Sequence, residues 1–246
     1  MAKFVLKDAK LFYNEYDLSG FHNSMTFAVS KAEVEATSFG DAGVRRLGGL
    51  GSFNLSHSGF WDLGSSQVDT VLYNALGDSD SIITIRPNND TTGATVYFSR
   101  AVSFEYSPGG SVGEAAAFTA TAMSQGDKIV RGTLLRDGLV SGTNGEGLAL
   151  NLGGATTSQT LYAALHIYAD TGNGDVTVTI QSDSSSGFSS ATTRKTFTVV
   201  TAPALDSQWS SSAISGSTAD IWWRCTWDQA GTASNATFAV SVGFTS

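Results

Sequence analysis

Glu33 and Glu35 stand two residues apart in a stretch where apolar and polar side chains alternate, so on a strand both carboxylates leave one face. A carboxylate pair is what a glycosidase uses, one acid and one base or nucleophile flanking the scissile bond. The partners in such a pair usually come from different strands around an aromatic cleft, and nothing near these two supplies that cleft. The pair therefore reads as a charged strand face. His22, His57 and His166 are far apart in sequence and match no metal-binding spacing such as His-Glu-x-x-His. Ser56-His57-Ser58 holds a hydroxyl beside an imidazole, but no Gly-x-Ser-x-Gly elbow joins a strand to a helix, so no activated nucleophile is expected. Asp78, Asp80 and Asp90 crowd two turns without the later ligands of an EF-hand loop. Gly48-Gly49-Leu50-Gly51 lacks the Gly-Lys-Ser/Thr continuation of a phosphate loop. The expected catalytic, metal and cofactor sets are empty, and the chain reads as a non-enzyme.

One further chemistry lies in the aromatic residues of the C-terminal part: Trp209, Trp222, Trp223 and Trp227. In Ile221-Trp222-Trp223-Arg224-Cys225-Thr226-Trp227, alternation puts Trp223, Cys225 and Trp227 on one face and Trp222 with Arg224 on the other. One set belongs in a core, and an exposed tryptophan on the other is a platform for a sugar ring.

The chain that must position these groups has 246 residues, 41% hydrophobic and only 15% charged, with net charge −8. That is enough apolar material for a core, while the acidic balance disfavours a sequence-independent grip on nucleic-acid phosphates. One cysteine, Cys225, excludes an internal disulfide framework and suits a reducing compartment. The N-terminal apolar stretches are too short for a signal-peptide core, and no run approaches the ~18 apolar residues of a membrane span, so neither secretion nor membrane insertion is expected.

Most of the sequence alternates over short segments framed by Gly, Ser and Asp, the pattern of half-buried strands. Met25–Ala36 and Thr95–Tyr106 read as long strands. The period changes once: Val68, Val71, Leu72, Ala75 and Leu76 recur at three-to-four spacing, with Ser65 and Ser66 as caps and Gly77 as stop, which predicts a helix over 65–76. The glycine-rich segment 38–51 reads as a loop, yet it carries Phe39, Val44, Leu47 and Leu50 beside Arg45 and Arg46. Such a loop either folds back over its own core or docks on another subunit, and the second reading is favoured.

Near residue 137 the composition shifts. Residues 1–137 hold most of the charge, and 138–246 are rich in Ser, Thr and Gly, with alternating segments at 161–168, 176–181, 196–200, 221–227 and 236–244. This predicts two domains, 1–137 and 138–246, joined by the glycine-rich 138–147, the second a β-sandwich.

Residues 1–137 resemble the major tail tube proteins of long-tailed, siphovirus-like bacteriophages. The resemblance rests on the order of Lys10–Ser19, Glu33–Asp41, Gly48–Ser52 and Ser58–Asp62, followed by a helix with Asp69 and Leu72–Gly77, then Val112–Glu114 and Val130–Leu135. It implies a mainly β fold: an N-terminal tail-tube-type β-sandwich or half-barrel with one flanking helix, followed by an Ig-like or jelly-roll-like C-terminal β-sandwich displayed outward. It implies homo-oligomeric rings, hexameric by expectation, stacked into a tube that encloses a tape-measure protein and conducts DNA without binding it specifically. Tail tip and terminator proteins are the further partners, the virion tail is the location, and assembly takes place in the host cytoplasm. In that scheme Phe39, Val44, Arg45, Arg46, Leu47 and Leu50 stack one ring on the next, and Glu33 and Glu35 face the lumen. The alternatives are a carbohydrate- or host-surface-binding phage protein, or another tail or capsid component such as a terminator or decoration protein.

Overall fold

A computed structural model describes residues 8–88, 91–141, 144–171, 174–201, 204–215, 219–230 and 235–245. The strands run β1 Lys10–Tyr13, β2 Tyr16–Asp17, β3 His22–Glu35, β4 Arg46–Phe60, β5 Ser81–Arg86, β6 Thr95–Gly109, β7 Ala117–Ser124 and β8 Val130–Ser141, with helix α1 Val68–Asn74 between β4 and β5. They continue as β9 Gly145–Glu146, β10 Leu150–Asn151, β11 Thr160–Asp170, β12 Asp175–Asp183, β13 Thr192–Thr196, β14 Asp206–Ala213, β15 Trp222–Ala230 and β16 Asn235–Thr245. The protein is mainly antiparallel β, as the alternation predicts. The helix expected over 65–76 forms over Val68–Asn74, and the strand expected at 196–200 is displaced to β13, with only an isolated bridge from Val176 to Val200.

The chain forms two compact units. The first comprises residues 1–19, 82–98 and 130–246, and the second residues 20–81 and 99–129. Residue 137, where the composition changes, lies inside β8, which pairs with β16 from Thr133↔Val242 to Ser141↔Asn235. Packing therefore groups the Ser/Thr-rich strands with β1, β5 and β8.

In the first unit one sheet runs β14-β11-β16-β8-β6-β5-β1-β2 and a smaller one β10-β15-β12-β13, with β9 on β15. The two make a sandwich. Leu161, Ala163, Leu165 and Ile167 of β11 face Val176, Val178 and Ile180 of β12 and Trp223 and Cys225 of β15 across one core. The intervening residues of β11 point the other way, where Ala164 joins Phe12, Val96, Phe98 and Leu134 in a second core. A strand buried on both faces keeps its period but loses its polar half. Burial puts the Cys225 thiol up to about 12, so it is an inert core group.

The polar groups inside this unit are held by specific partners. Asp137 accepts from Arg86 Nη1 at 2.6 Å, from Tyr168 Oη at 2.5 Å and from Lys10 Nζ at 3.2 Å. Desolvation pushes its carboxyl pKa up, but the hydrogen bonds from Tyr168 and Arg86 and the two positive charges outweigh it and hold the group below the usual carboxylate value. His166 Nδ1 lies 2.6 Å from the Asn14 carbonyl and Nε2 2.7 Å from Thr84 Oγ1. A carbonyl only accepts, so Nδ1 carries the proton and Nε2 accepts from the hydroxyl. Burial keeps this ring neutral, its pKa lowered to about 4. Asn14, with φ 51°, occupies the left-handed position of the two-residue turn between β1 and β2.

In the second unit the strand order is β3-β4-β7-β6. Its core lies at the base, around Phe53, Leu55, Val68, Leu72, Phe118 and Ala120.

Candidate assembly surface

The second unit projects a long antiparallel hairpin. Register runs from His22↔Gly59 to Glu35↔Arg46, with irregularities at 22/24 and 31/33. Only its base is covered: β4 pairs with β7 from Asn54↔Met123 to Phe60↔Ala117, and Phe53, Leu55 and His57 are buried. Beyond that base the side chains on both faces meet solvent. Val29 is 58% exposed and Leu50 88%, and Val34, Leu47, Val44 and Phe39 are exposed as well. Burying one such side chain is worth about 1.5–3 kcal/mol, so six left bare on one element are a surface in want of a cover.

Several contacts fix the arm at its root. A Cβ on Gly59 would lie 1.8 Å from the Phe21 carbonyl oxygen, so only glycine permits that strand crossing. His22 Nε2 meets His57 Nδ1 at 2.6 Å, and both rings lie edge-on to Phe118. Burial, helped by the facing His22, lowers the His57 pKa to about 3, so this ring is neutral. Asp69 accepts from Trp61 Nε1 and Tyr106 Oη, each at 2.8 Å, which ties α1 to the end of β4 and to β6. Burial and the Asp69 carboxylate push the Tyr106 hydroxyl pKa up.

The tip is a turn built by side chains. Asp41 accepts from the Ser38 backbone N–H at 2.8 Å and Ser38 Oγ at 3.0 Å, and the Arg45 N–H donates to Thr37 Oγ1 at 3.1 Å. The Ser38 backbone hydrogen bond, then its hydroxyl, hold the Asp41 carboxyl below its usual pKa. The loop read over 38–51 is therefore shorter than expected: Arg46, Leu47, Gly48–Leu50 and Gly51 belong to β4. Glycine suits that stretch because a Cβ on Gly49 would sit 3.0 Å from Val34 Cγ2 and 3.1 Å from the Ala32 carbonyl oxygen.

The residues expected to dock and those expected to face a lumen thus lie on one element. Val34 pairs with Leu47, while Glu35 pairs with Arg46. Glu33 forms an ion pair with Arg46 across the strands, both side chains about two-thirds exposed. On that face a single guanidinium, Arg46, stands against two carboxylates, Glu33 and Glu35.

The other chemistry weighed in sequence is placed separately. His22 and His57 meet, and His166 lies in the other unit. Asp78 accepts from the Asp80 N–H in a turn, and Asp80 pairs with Arg100; Asp90 lies outside the described residues. No group of three or more His, Cys, Asp or Glu suited to a metal ion occurs among the described residues.

In the first unit, Trp223 is fully buried, Trp227 packs on Phe238, and Trp209 packs on Phe98 and Tyr162. Trp222 stands on the outer face of β15 beside Arg224. Arg224 donates from Nε to Gln181 Oε1 at 3.1 Å, pairs through Nη1 with Glu146, and lies 4.1 Å above the Phe188 ring. Sequence spacing found Trp222 and Arg224 as neighbours on one face. Gln181, Glu146 and Phe188 lie 36 to 78 residues from Arg224 in sequence and carry no local signal.

No family model matches the sequence, and no curated protein matches it. Among solved structures, the chain is similar to a chain in the virion of a native gene transfer agent particle, at 15% identity over 50% of this chain and 95% of that one, TM-score 0.39. It is similar to a chain in the sheath/tube terminator of the PVC extracellular contractile injection system in its extended state, at 15% identity over 53% and 97%, TM-score 0.44. It is also similar to the SPP1 Dit (gp 19.1) protein, described as a paradigm of the hub adsorption apparatus in phages infecting Gram-positive hosts, at 9% identity over 98% of this chain and 100% of that one, TM-score 0.37.

Proposed function

We propose that the chain is a non-enzymatic structural subunit of the tail of a long-tailed phage, forming closed rings, hexameric by expectation, that stack into a tube. The observation that carries the reading is the hairpin of β3 and β4, with apolar side chains bare on both faces and β3 an open edge. A 14-residue edge strand invites pairing with another chain, and a closed ring of identical copies covers every such edge without leaving one over. The residue order of 1–137 supports the same reading. Phe39, Val44, Leu47 and Leu50 then bury against the adjacent ring, with Arg45 and Arg46 at the rim. Glu33 and Glu35 face the lumen beside Arg46, a wall that stays net negative and so repels passing phosphates, where a basic wall would trap them. Tape-measure, tip and terminator proteins are the partners, DNA passes through, residues 138–246 face outward, and the location is the virion tail after assembly in the host cytoplasm.

Electron microscopy of the purified chain, alone and in intact particles, tests this. Rods of stacked rings are expected from the wild type, and isolated rings or none from Leu47→Asp with Leu50→Asp. A folded double variant that still builds full-length rods removes the hairpin from stacking. Wild-type rings that never repeat along a rod assign the chain to a tube end, and a chain absent from tails sinks the reading altogether.

A further inference from the structure

We propose that the outer face of the β10-β15-β12-β13 sheet binds a neutral pyranose sugar, with Trp222 as the stacking platform and Arg224, Gln181 and Glu146 as the hydrogen-bonding row. This site is independent of the hairpin and of ring formation.

Register brings these residues together. Trp222 and Arg224 are two apart on β15, hence about 7 Å apart on one face. Gln181 of β12 lies opposite Arg224, and Glu146 of β9 lies opposite Thr226, the next residue on that face. The neighbouring Trp223 and Cys225 are buried in the sandwich core, so Trp222 is directed outward and partly exposed. Its ring stacks on no aromatic partner, and its indole N–H is neither buried nor hydrogen-bonded among the described residues.

The row is preorganised. Arg224 is held on three sides, by Gln181 Oε1, by Glu146 Oε2 and by the ring of Phe188 beneath it. Phe188 reaches that place from a left-handed backbone conformation, φ 49°, which a phenylalanine rarely adopts. The loop carrying it is tied down by the buried Asp183 carboxylate, which accepts from the Ser185 N–H at 2.9 Å and the Ser190 N–H at 2.8 Å. Backbone strain and a buried carboxylate thus hold one ring under one guanidinium.

What is left unused defines the ligand. Arg224 Nη2 and Gln181 Nε2 retain donors, and Glu146 Oε1 retains an acceptor, with no further partner among the described residues. A row offering both donors and acceptors on the same sheet face as an apolar ring suits vicinal hydroxyls, each of which donates and accepts, on a sugar whose C–H face packs on the indole. Glu146 already neutralises Arg224, so the site has no spare positive charge for an acidic sugar.

The full-length protein is titrated with lactose, maltose and cellobiose by ligand-observed NMR and calorimetry. Saturable binding of at least one in the millimolar range or tighter is expected. Trp222→Ala should weaken it by about tenfold or more, Trp222→Phe less, and Glu146→Gln should weaken it with circular dichroism unchanged. If Trp222→Ala does not fold, Trp222→Phe and Glu146→Gln carry the test. No saturation with any of the three disaccharides, or equal affinity in Trp222→Phe and Glu146→Gln, overturns the proposal. Binding confined to uronate- or sialate-bearing sugars and lost with added salt overturns the neutral class.

Discussion

The arm made by β3 and β4 and the sheet strands β11 and β16 are built from the same alternating sequence, yet one is bare on both faces and the other covered on both. In β11, Leu161, Ala163, Leu165 and Ile167 enter one core while Ala164 enters another and His166 is also buried; in the arm, Val29, Val34, Leu47 and Leu50 meet water. Period 2 fixes which residues share a face, not what lies over that face. Cover has to come from elsewhere: in the first unit it comes from the same chain, and in the assembly proposed above the arm's cover is another copy.

The difference is sharpest where charge is concerned. Arg86 is fully buried and Asp137 nearly so, whereas the Glu33–Arg46 pair is largely exposed. Removing one partner of a buried pair strands the other charge in a low-dielectric site, at a cost of about 3–5 kcal/mol. Asp137→Ala should therefore lower unfolding stability by that order in urea titration. A midpoint within error of the wild type would mean that Arg86 finds water and that the first unit is less closed than it looks.

Acid should also act on the covered parts before the arm. His57 and His166 are neutral in the folded chain, their pKa values lowered to about 3 and about 4, while the unfolded value is 6.5. A group that binds its proton only when unfolded makes stability fall as pH drops below the unfolded value, and the loss stops near the folded one. Each ring should thus remove roughly 1.6 kcal/mol between pH 6.5 and 5, the slope approaching about 1.36 kcal/mol per unit below the unfolded value. His57→Gln should flatten that slope by about half, and an unchanged slope would mean that His57 binds its proton as readily in the folded chain as in the unfolded one. The Asp137 carboxyl, lowered in the fold, weakens stability only at more acidic pH, below 3.8.

The next effect is smaller. Glu33→Gln breaks an ion pair in water, worth about 0–1 kcal/mol and screened by salt. Thermal unfolding should shift by no more than that, and the shift should vanish in high salt. A larger, salt-resistant loss would show the pair to be covered, as in an assembled state.

The strands, helix α1 and the two tryptophan faces were legible in the sequence, because each is a matter of local period. It also marked the hairpin, since Phe39, Val44, Leu47 and Leu50 are too apolar for a solvated loop. Its glycines concealed where the loop ends: Gly48–Gly51 look like a turn, and only the close approach of Gly49 to Val34 shows a strand. The grouping of β8 with β16 was hidden too, because composition changes at 137 while the strand continues through it. The Asp137 cluster and the Gln181–Arg224–Glu146 row are products of long-range register, which no local window contains.

The smallest expected effect on folding is the one that most separates arm from sheet. Phe39 is fully exposed at the tip and Leu50 nearly so, so neither contributes appreciably to folding in the isolated subunit. Phe39→Ser and Leu50→Asp should each change unfolding stability by about 0.5 kcal/mol or less, as surface substitutions away from caps and cores do. Leu165, on the same period but closed inside the sandwich, should lose about 2–5 kcal/mol when cut to alanine. The comparison requires protein dilute enough to remain unassembled, because association adds stability by mass action and would transfer the cost of losing the neighbour's surface to the arm residues. If Leu50→Asp proves costly even in the dilute monomer, the arm folds back on its own subunit in solution, and its apolar row covers the chain's own surface instead of a neighbour's.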